Sequence, residues 1–200
     1  MTTPSQPEST DLEAVVRREG ARSGISLGII ITVLSILGLY ITLSLSSFWM
    51  LTVVPMLISV VLPLIIVIFF VVALRRKVGG YWTFRQALIG TFVMFLVAHI
   101  ISTVVTLGFQ TFVEPDIQER MIRNMSNATV EFMENQGVPD DQIDAATASF
   151  DESLQKINEG GIGTQIQGFF LTLLVLFVVA LIFAAIFKRE RPVFIVDPEA

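Results

Sequence analysis

Four apolar stretches, Ile25 to Leu45, Met50 to Leu74, Ala87 to Phe109 and Ile166 to Phe187, constrain this chain more than any other feature. Each runs for about 20 residues or more, which at about 1.5 Å of rise per helical residue matches the roughly 30 Å hydrocarbon core of a bilayer. A helix satisfies its own backbone hydrogen bonds, so it is the form in which such a stretch can sit in lipid. A chain of 200 residues, 53% hydrophobic and with a mean hydropathy of +0.73, has more apolar surface than a soluble core of that length can hide. The sequence therefore predicts an all-α integral membrane protein built as a four-helix bundle, with the lipid bilayer as its first partner.

Charge orients the bundle. Arg17, Arg18 and Arg22 precede the first span, Arg75, Arg76, Lys77 and Arg85 lie between the second and third, and Lys188, Arg189 and Arg191 follow the fourth. Four crossings in turn bring these clusters to one side, which the positive-inside rule makes cytoplasmic, so both termini are expected in the cytoplasm. Between the third and fourth spans, eleven acids stand against Arg120, Arg123 and Lys156, and that segment is expected outside. Ser44 and Ser46 have the spacing of a signal-peptide cleavage site, but the apolar run before them is about twice a usual h-region, so a retained helix is expected. The expected divisions are 1–23 as a partly disordered cytoplasmic tail, 24–109 as transmembrane helices one to three, 110–163 as an extracytoplasmic acidic helical hairpin, 164–188 as the fourth transmembrane helix, and 189–200 as a second cytoplasmic tail.

The spans differ in detail. Gly20, Gly24, Gly28 and Thr32 recur every fourth residue on the first, with Gly24, Gly28 and Thr32 at membrane depth. In lipid, small residues let helix backbones approach closely, so this face predicts packing against another helix, within the chain or in a homodimer. Before it, Leu12, Val15 and Val16 suggest a short interfacial helix over Asp11 to Arg22. The room between Leu45 and Met50 allows only a tight turn, with Phe48 and Trp49 at the outer interface. In the second span Pro63 removes a backbone donor and predicts a kink near Ser59, whose hydroxyl is placed to serve the freed groups. Gly79 and Gly80 end that helix, and Thr83 and Gln86 have capping-box spacing at the start of the next. Tyr81, Trp82 and Phe84, interleaved with cations, suggest anchoring at an anionic leaflet.

The third span holds the single His, His99, followed by Ser102, Thr103, Thr106 and Gln110 at spacings of three and four. They form one polar stripe. An ionisable group at membrane depth marks a functional-site candidate; a neutral His hydrogen-bonded across the bundle is the structural alternative. The other spans add only Thr32, Ser35, Ser59 and Thr172, so no proton relay is complete.

In the outer segment Ile117, Met121, Met125, Thr129, Phe132 and Gln136 mark one helix, starting near Pro115 and stopped by Gly137 and Pro139. A second helix, capped by Asp140 or Asp141, turns Ile143, Ala146, Phe150, Leu154 and Ile157 inward and stops at Gly160 and Gly161. The acids lack the spacing and glycine of an EF-hand and read as a solvated face. Asn127-Ala128-Thr129 matches a glycosylation sequon. Thr164 and Gln167 repeat capping-box spacing, and Lys188, Arg189, Arg191 and Pro192 stop the fourth helix.

The chain has no cysteine, which excludes disulfides, thiolate metal sites and cysteine nucleophiles. No metal, cofactor or catalytic residues are expected: no His-rich site and no nucleophile with its base is present, and the acidic outer segment argues against a nucleic-acid partner.

The short first hairpin, the basic link Arg75-Arg76-Lys77, the run Gly80-Tyr81-Trp82-Thr83-Phe84-Arg85-Gln86-Ala87 and Glu114-Pro115-Asp116 after the third span resemble a bacterial family known as domain of unknown function 4199. The likeness covers roughly Gly24 to Arg189. The family often has Asp where this chain has Glu114. The resemblance implies the same topology and a bacterial inner (cytoplasmic) membrane location, and transfers no functional residue. The expected role is a non-enzymatic scaffold or accessory subunit whose outer hairpin contacts another envelope protein, with a homo-oligomer as the other partner considered. The alternative is a small oligomeric transporter or channel component using the His99 to Gln110 stripe and the Pro63 kink, with no substrate indicated.

Overall fold

The computed structural model describes residues 8–159 and 162–190. Six helices follow one another: α1 (Glu8–Leu43), α2 (Phe48–Lys77), α3 (Phe84–Phe112), α4 (Ile117–Asn135), α5 (Asp140–Glu159) and α6 (Ile162–Phe187). The expected tail over Met1 to Thr10 lies largely outside the described residues, as do the stops at Gly160, Gly161, Arg191 and Pro192. The side chain of Thr164 lies outside them too.

Among the described residues four helices, α1, α2, α3 and α6, are long and apolar enough to cross a membrane. Only between 11% and 28% of each one's most apolar window is buried inside the molecule. Phe69 on α2, Val104 on α3 and Leu171 and Leu174 on α6 each expose more than half of their surface. In water such a continuous apolar belt would drive association; in lipid it is the solvated surface. The chain is an all-α, multi-pass membrane protein.

The seam between α1 and α3 is the centre of the bundle. Gly20, Gly24 and Gly28 face Gly90, Met94 and Ala98, so close that a Cβ built on Gly24 would lie 2.6 Å from the Met94 carbonyl oxygen. Thr32 continues this face, buried, with its hydroxyl donating to the Gly28 carbonyl at 2.6 Å. The glycine face is thus consumed within the chain, and Gly20 takes part as fully as the other two. α1 is 36 residues long, about 54 Å at helical rise, so it overruns a roughly 30 Å core. This corrects the expected interfacial helix over Asp11 to Arg22. Those residues extend α1 without a break, and Val16 is fully buried against Gly90. The expected boundary at residue 23 falls inside the helix for the same reason.

α2 packs on α1 and α6 on α3. In α2 the residues Leu57–Val61 form a π turn just before Pro63. Pro63 offers no N–H to the preceding turn, and the backbone widens by one residue there, with the Leu62 N–H donating to the Leu57 carbonyl. The wider turn brings Ile58 against Gly38 of α1, 2.8 Å from where a Cβ would stand. The expected disturbance at Ser59 therefore takes the form of a π turn, and Ser59 itself is exposed.

One end of the bundle is sealed. Val16, Val71, Leu74, Val78, Trp82, Ala87, Met94, Phe183 and Ala184 form a buried cluster drawn from all four spanning helices and the α2–α3 link. The link turns at Gly79 and Gly80, both at positive φ, where a β-carbon would be strained. Thr83 and Gln86 make the full capping box, the Thr83 N–H donating to Gln86 Oε1 at 2.9 Å. Trp82 corrects the expected leaflet anchor: only 2% of it is exposed. Its indole Nε1–H donates to the Phe187 carbonyl at 2.8 Å, and its backbone exchanges two hydrogen bonds with Arg189. Tyr81 lies at the surface with the Arg189 guanidinium 5.6 Å from its ring centre. With Arg85 3.5 Å from Glu13, these contacts gather the basic segments of the chain at the sealed end.

At the other end α4 and α5 form a helical hairpin, turned by Gly137 at a φ of +69°. α4 begins at Ile117, two residues beyond the expected Pro115. Pro139 rather than Asp140 or Asp141 precedes the first turn of α5, its carbonyl accepting from the Gln142 N–H. Phe132 stacks on Phe48 with ring centres 4.4 Å apart and meets Trp49 edge-on, so the α1–α2 turn carries the hairpin as well as the expected aromatic interface. Asn124 donates to the carbonyls of Leu45 and Thr42, at 2.9 and 3.3 Å, tying α4 to the end of α1. Asn124→Ala is expected to cost about 1 kcal/mol of stability and to speed amide exchange in α4 selectively. Unchanged exchange in α4 would mean that Asn124 does not hold the hairpin.

Candidate functional site

α3 carries the polar stripe because its other faces are taken. Gly90, Met94 and Ala98 meet α1, while Phe92 and Phe95 meet Phe177 and Phe183 of α6 edge to face. Val104 is left to lipid. His99 follows Phe92 and Phe95 on the face toward α6, its ring stacked on Phe169 at 4.8 Å. Among the described residues its Nε2 is buried without a hydrogen-bond partner. The ring is held against α6 by this stacking and by a hydrogen bond to the Phe169 backbone.

Beyond His99, on the stripe's side of α3, a cavity of about 590 Å³ opens. His99, Ser102, Thr103, Thr106 and Gln110, the whole stripe, line it together with Leu107. Ser35 comes from α1, Gln118 from α4, and Lys156 and Ile157 from the end of α5. From His99 to Gln110 the stripe climbs about 16 Å, half a bilayer core. The vestibule thus runs from the middle of the spanning region to the underside of the hairpin. Toward the other end it is closed off by the Met94 and Trp82 cluster.

Two interactions frame the mouth. Gln118 Nε2 donates to Gln110 Oε1 at 2.9 Å, tying α4 to α3. Lys156 lies 2.7 Å from Glu152, and that pairing holds the exposed Glu152 carboxyl below its ordinary range. Nearby, Glu114 accepts hydrogen bonds from Tyr40 at 3.1 Å and Arg120 at 2.9 Å, joining α1, the α3–α4 turn and α4. Glu114-Pro115-Asp116 is therefore a fastening point for the hairpin and stands outside the cavity lining.

Among the described residues the lining contains no carboxylate, although the segment between α3 and α6 holds eleven acids. Among the described residues no group of three or more His, Asp or Glu is placed to hold a metal ion. Of the embedded polar residues outside α3, Ser35 joins the stripe. Thr32 lies in the helix seam, Ser59 on the outside of the π turn, and Thr172 donates to the Gly168 carbonyl of its own helix. Gln118 and Lys156 had no stripe of their own to mark them. The available signal was that Lys156 is one of only three cations in a strongly acidic segment.

Residues 22–189 match the model of a family described as a protein of unknown function, DUF4199. The chain belongs to that family. No curated protein and no solved structure matches it. The matched region of this DUF4199 protein takes in α1 from Arg22 onward, the other three spanning helices, the hairpin and every described residue of the vestibule.

Proposed function

We propose that this protein binds a small polar solute in the outward half of its bundle and serves as a small transporter or channel component, without catalysing a covalent change. The vestibule carries this reading. Polar side chains used only for packing would pair off singly, whereas here five from α3 converge with three from other helices on one space of about 590 Å³. Its depth, from the hairpin to the middle of the span, is that of a solute site approached from one side. Among the described residues the buried cluster at the sealed end leaves no continuous path through one copy, so passage would require that end to open or several copies to assemble. The basic sealed end, read by the positive-inside rule, supports cytoplasmic termini, a vestibule facing outward and a place in a bacterial inner membrane.

The absence of native cysteine makes the test direct. Ser102→Cys in lipid nanodiscs is expected to react with a neutral, water-soluble methanethiosulfonate reagent at least about tenfold faster than Val104→Cys, because the reacting thiolate forms only where water reaches. Equal, slow reaction at both positions would remove the vestibule and this function with it.

A second reading, a scaffold or accessory subunit acting through the hairpin, is supported by how firmly the hairpin is held. Phe132, Asn124 and Glu114 fix α4 to the bundle, and α5 presents an exposed acidic face including Asp140, Asp141 and Asp144. A photoactivatable crosslinker at Asp144→Cys in native membranes should then trap a species heavier than the monomer; recovery of monomer alone would dismiss this role.

A further inference from the structure

We infer that the ligand of the vestibule is a small uncharged molecule carrying several hydroxyl groups, of polyol or monosaccharide size; this assignment rests on the solute-binding reading above. The chemistry of the lining selects it. The hydroxyls of Ser35, Ser102, Thr103 and Thr106 each donate and accept, as a ligand hydroxyl does. Gln110 and Gln118 use one donor and one acceptor on each other and retain further donor and acceptor capacity at the mouth. Leu107 and Ile157 offer apolar surface to the C–H faces of such a molecule.

Charge argues in the same direction. A cationic ligand would find no carboxylate among the described residues of the lining, and taking an unpaired charge to membrane depth is costly. Among the described lining residues the fixed cation open to an anionic ligand is Lys156, which pairs with Glu152 at 2.7 Å and stands exposed at the mouth, where water screens its charge. A neutral ligand disturbs neither group and replaces water hydrogen bonds one for one. A cavity of about 590 Å³ lies within the roughly 300–1,000 Å³ typical of small-molecule sites, so such a molecule fits together with bridging water.

The test is protection of Ser102→Cys, with Thr106→Cys as a second position should the first fail to fold. Full-length protein in nanodiscs is treated with the neutral methanethiosulfonate reagent in the presence of myo-inositol, glucose, choline or inorganic phosphate. Slowing of at least about threefold by myo-inositol or glucose, the effect of a ligand at twice its dissociation constant, with none by choline or phosphate, is the expected result. If the cysteine reacts readily but any other pattern appears across the four probes, including no protection at all, the ligand class is wrong while the water-filled vestibule stands. If neither cysteine reacts faster than Val104→Cys, both the ligand class and the solute-binding reading fall.

Discussion

Gly24→Val is expected to destabilise the bundle by about 3 kcal/mol or more, at or beyond the upper end of ordinary overpacking, because the obstacles are backbone and a β-carbon fixed to it. A Cβ at this position stands 2.6 Å from the Met94 carbonyl oxygen and 2.8 Å from Val97 Cβ. Neither atom is the end of a flexible side chain that can swing aside, so α1 and α3 must separate. Gly20 and Gly28 lie on the same seam, at 2.7 and 3.0 Å from α3 by the same measure, and their contacts part along with it. In lipid this loss is not recovered elsewhere, since apolar surface leaving the seam gains nothing by meeting acyl chains. Gly108→Val on α3 is the control: a Cβ there meets nothing within 4 Å. Thermal unfolding in mild detergent should show a large drop for Gly24→Val and little change for Gly108→Val. Similar unfolding temperatures for the two would show that the seam is not the organising contact. Should Gly24→Val fail to fold, Gly24→Ala provides the comparison, as it introduces the same Cβ with less bulk beyond it.

Trp82→Ala is expected to cost about 3–5 kcal/mol, the range for removing a large buried aromatic. The indole fills the sealed end among Leu74, Gly90 and the buried residues of α6, and its Nε1–H satisfies the Phe187 carbonyl, one of the acceptors a helix end leaves without an intrahelical partner. Trp82→Phe separates these effects, since it keeps most of the packing and removes the donor, for about 1–2 kcal/mol. Hydrogen exchange gives a local readout. Amides from Ala184 to Phe187 should exchange faster in Trp82→Phe and much faster in Trp82→Ala, while those of α4 stay as they are. Unaltered exchange at the end of α6 in Trp82→Ala would mean that the link does not hold that helix.

Much of this arrangement was legible in the residues. The spans, the tight α1–α2 turn, the capping box at Thr83 and the hairpin broken at Gly137 follow from local rules about length, apolar periodicity and backbone freedom. The Gly20 to Thr32 face announced a close helix contact, though its partner was not named. Prolines and glycines gave their positions with similar reliability: Pro63 marked the π turn and Gly79 and Gly80 the end of α2. What misled was aromatic chemistry near cations. Tyr81, Trp82 and Phe84 have the composition of a membrane-interface belt, and Tyr81 and Phe84 are exposed, but the Trp82 indole, which can reach a helix-end carbonyl 105 residues away, satisfies its N–H better inside the bundle than at a leaflet. The extension of α1 through Arg22 was hidden for a similar reason. Charges at Arg17, Arg18 and Arg22 suggested an interface, yet Val16 was free to continue into the seam on the opposite side of the helix.

The candidate site divides along the same line. His99, Ser102, Thr103, Thr106 and Gln110 share a helix face by spacing alone, and that periodicity needs no tertiary knowledge. Whether such a stripe is packed shut or lines a space depends on helices distant in sequence. Small residues and Trp82 draw the four spans together at one end, whereas at the other α4 takes up the α1–α2 turn and the end of α5 roofs the gap with Lys156. Local sequence thus determined that this chain crosses a membrane as helices, with one polar face on the third and an acidic hairpin after it. Only the tertiary structure decided that the polar face stays open, because α1 keeps to another face of α3 as far as Tyr40 and Phe109, while the described residues around the stripe leave a space of about 590 Å³.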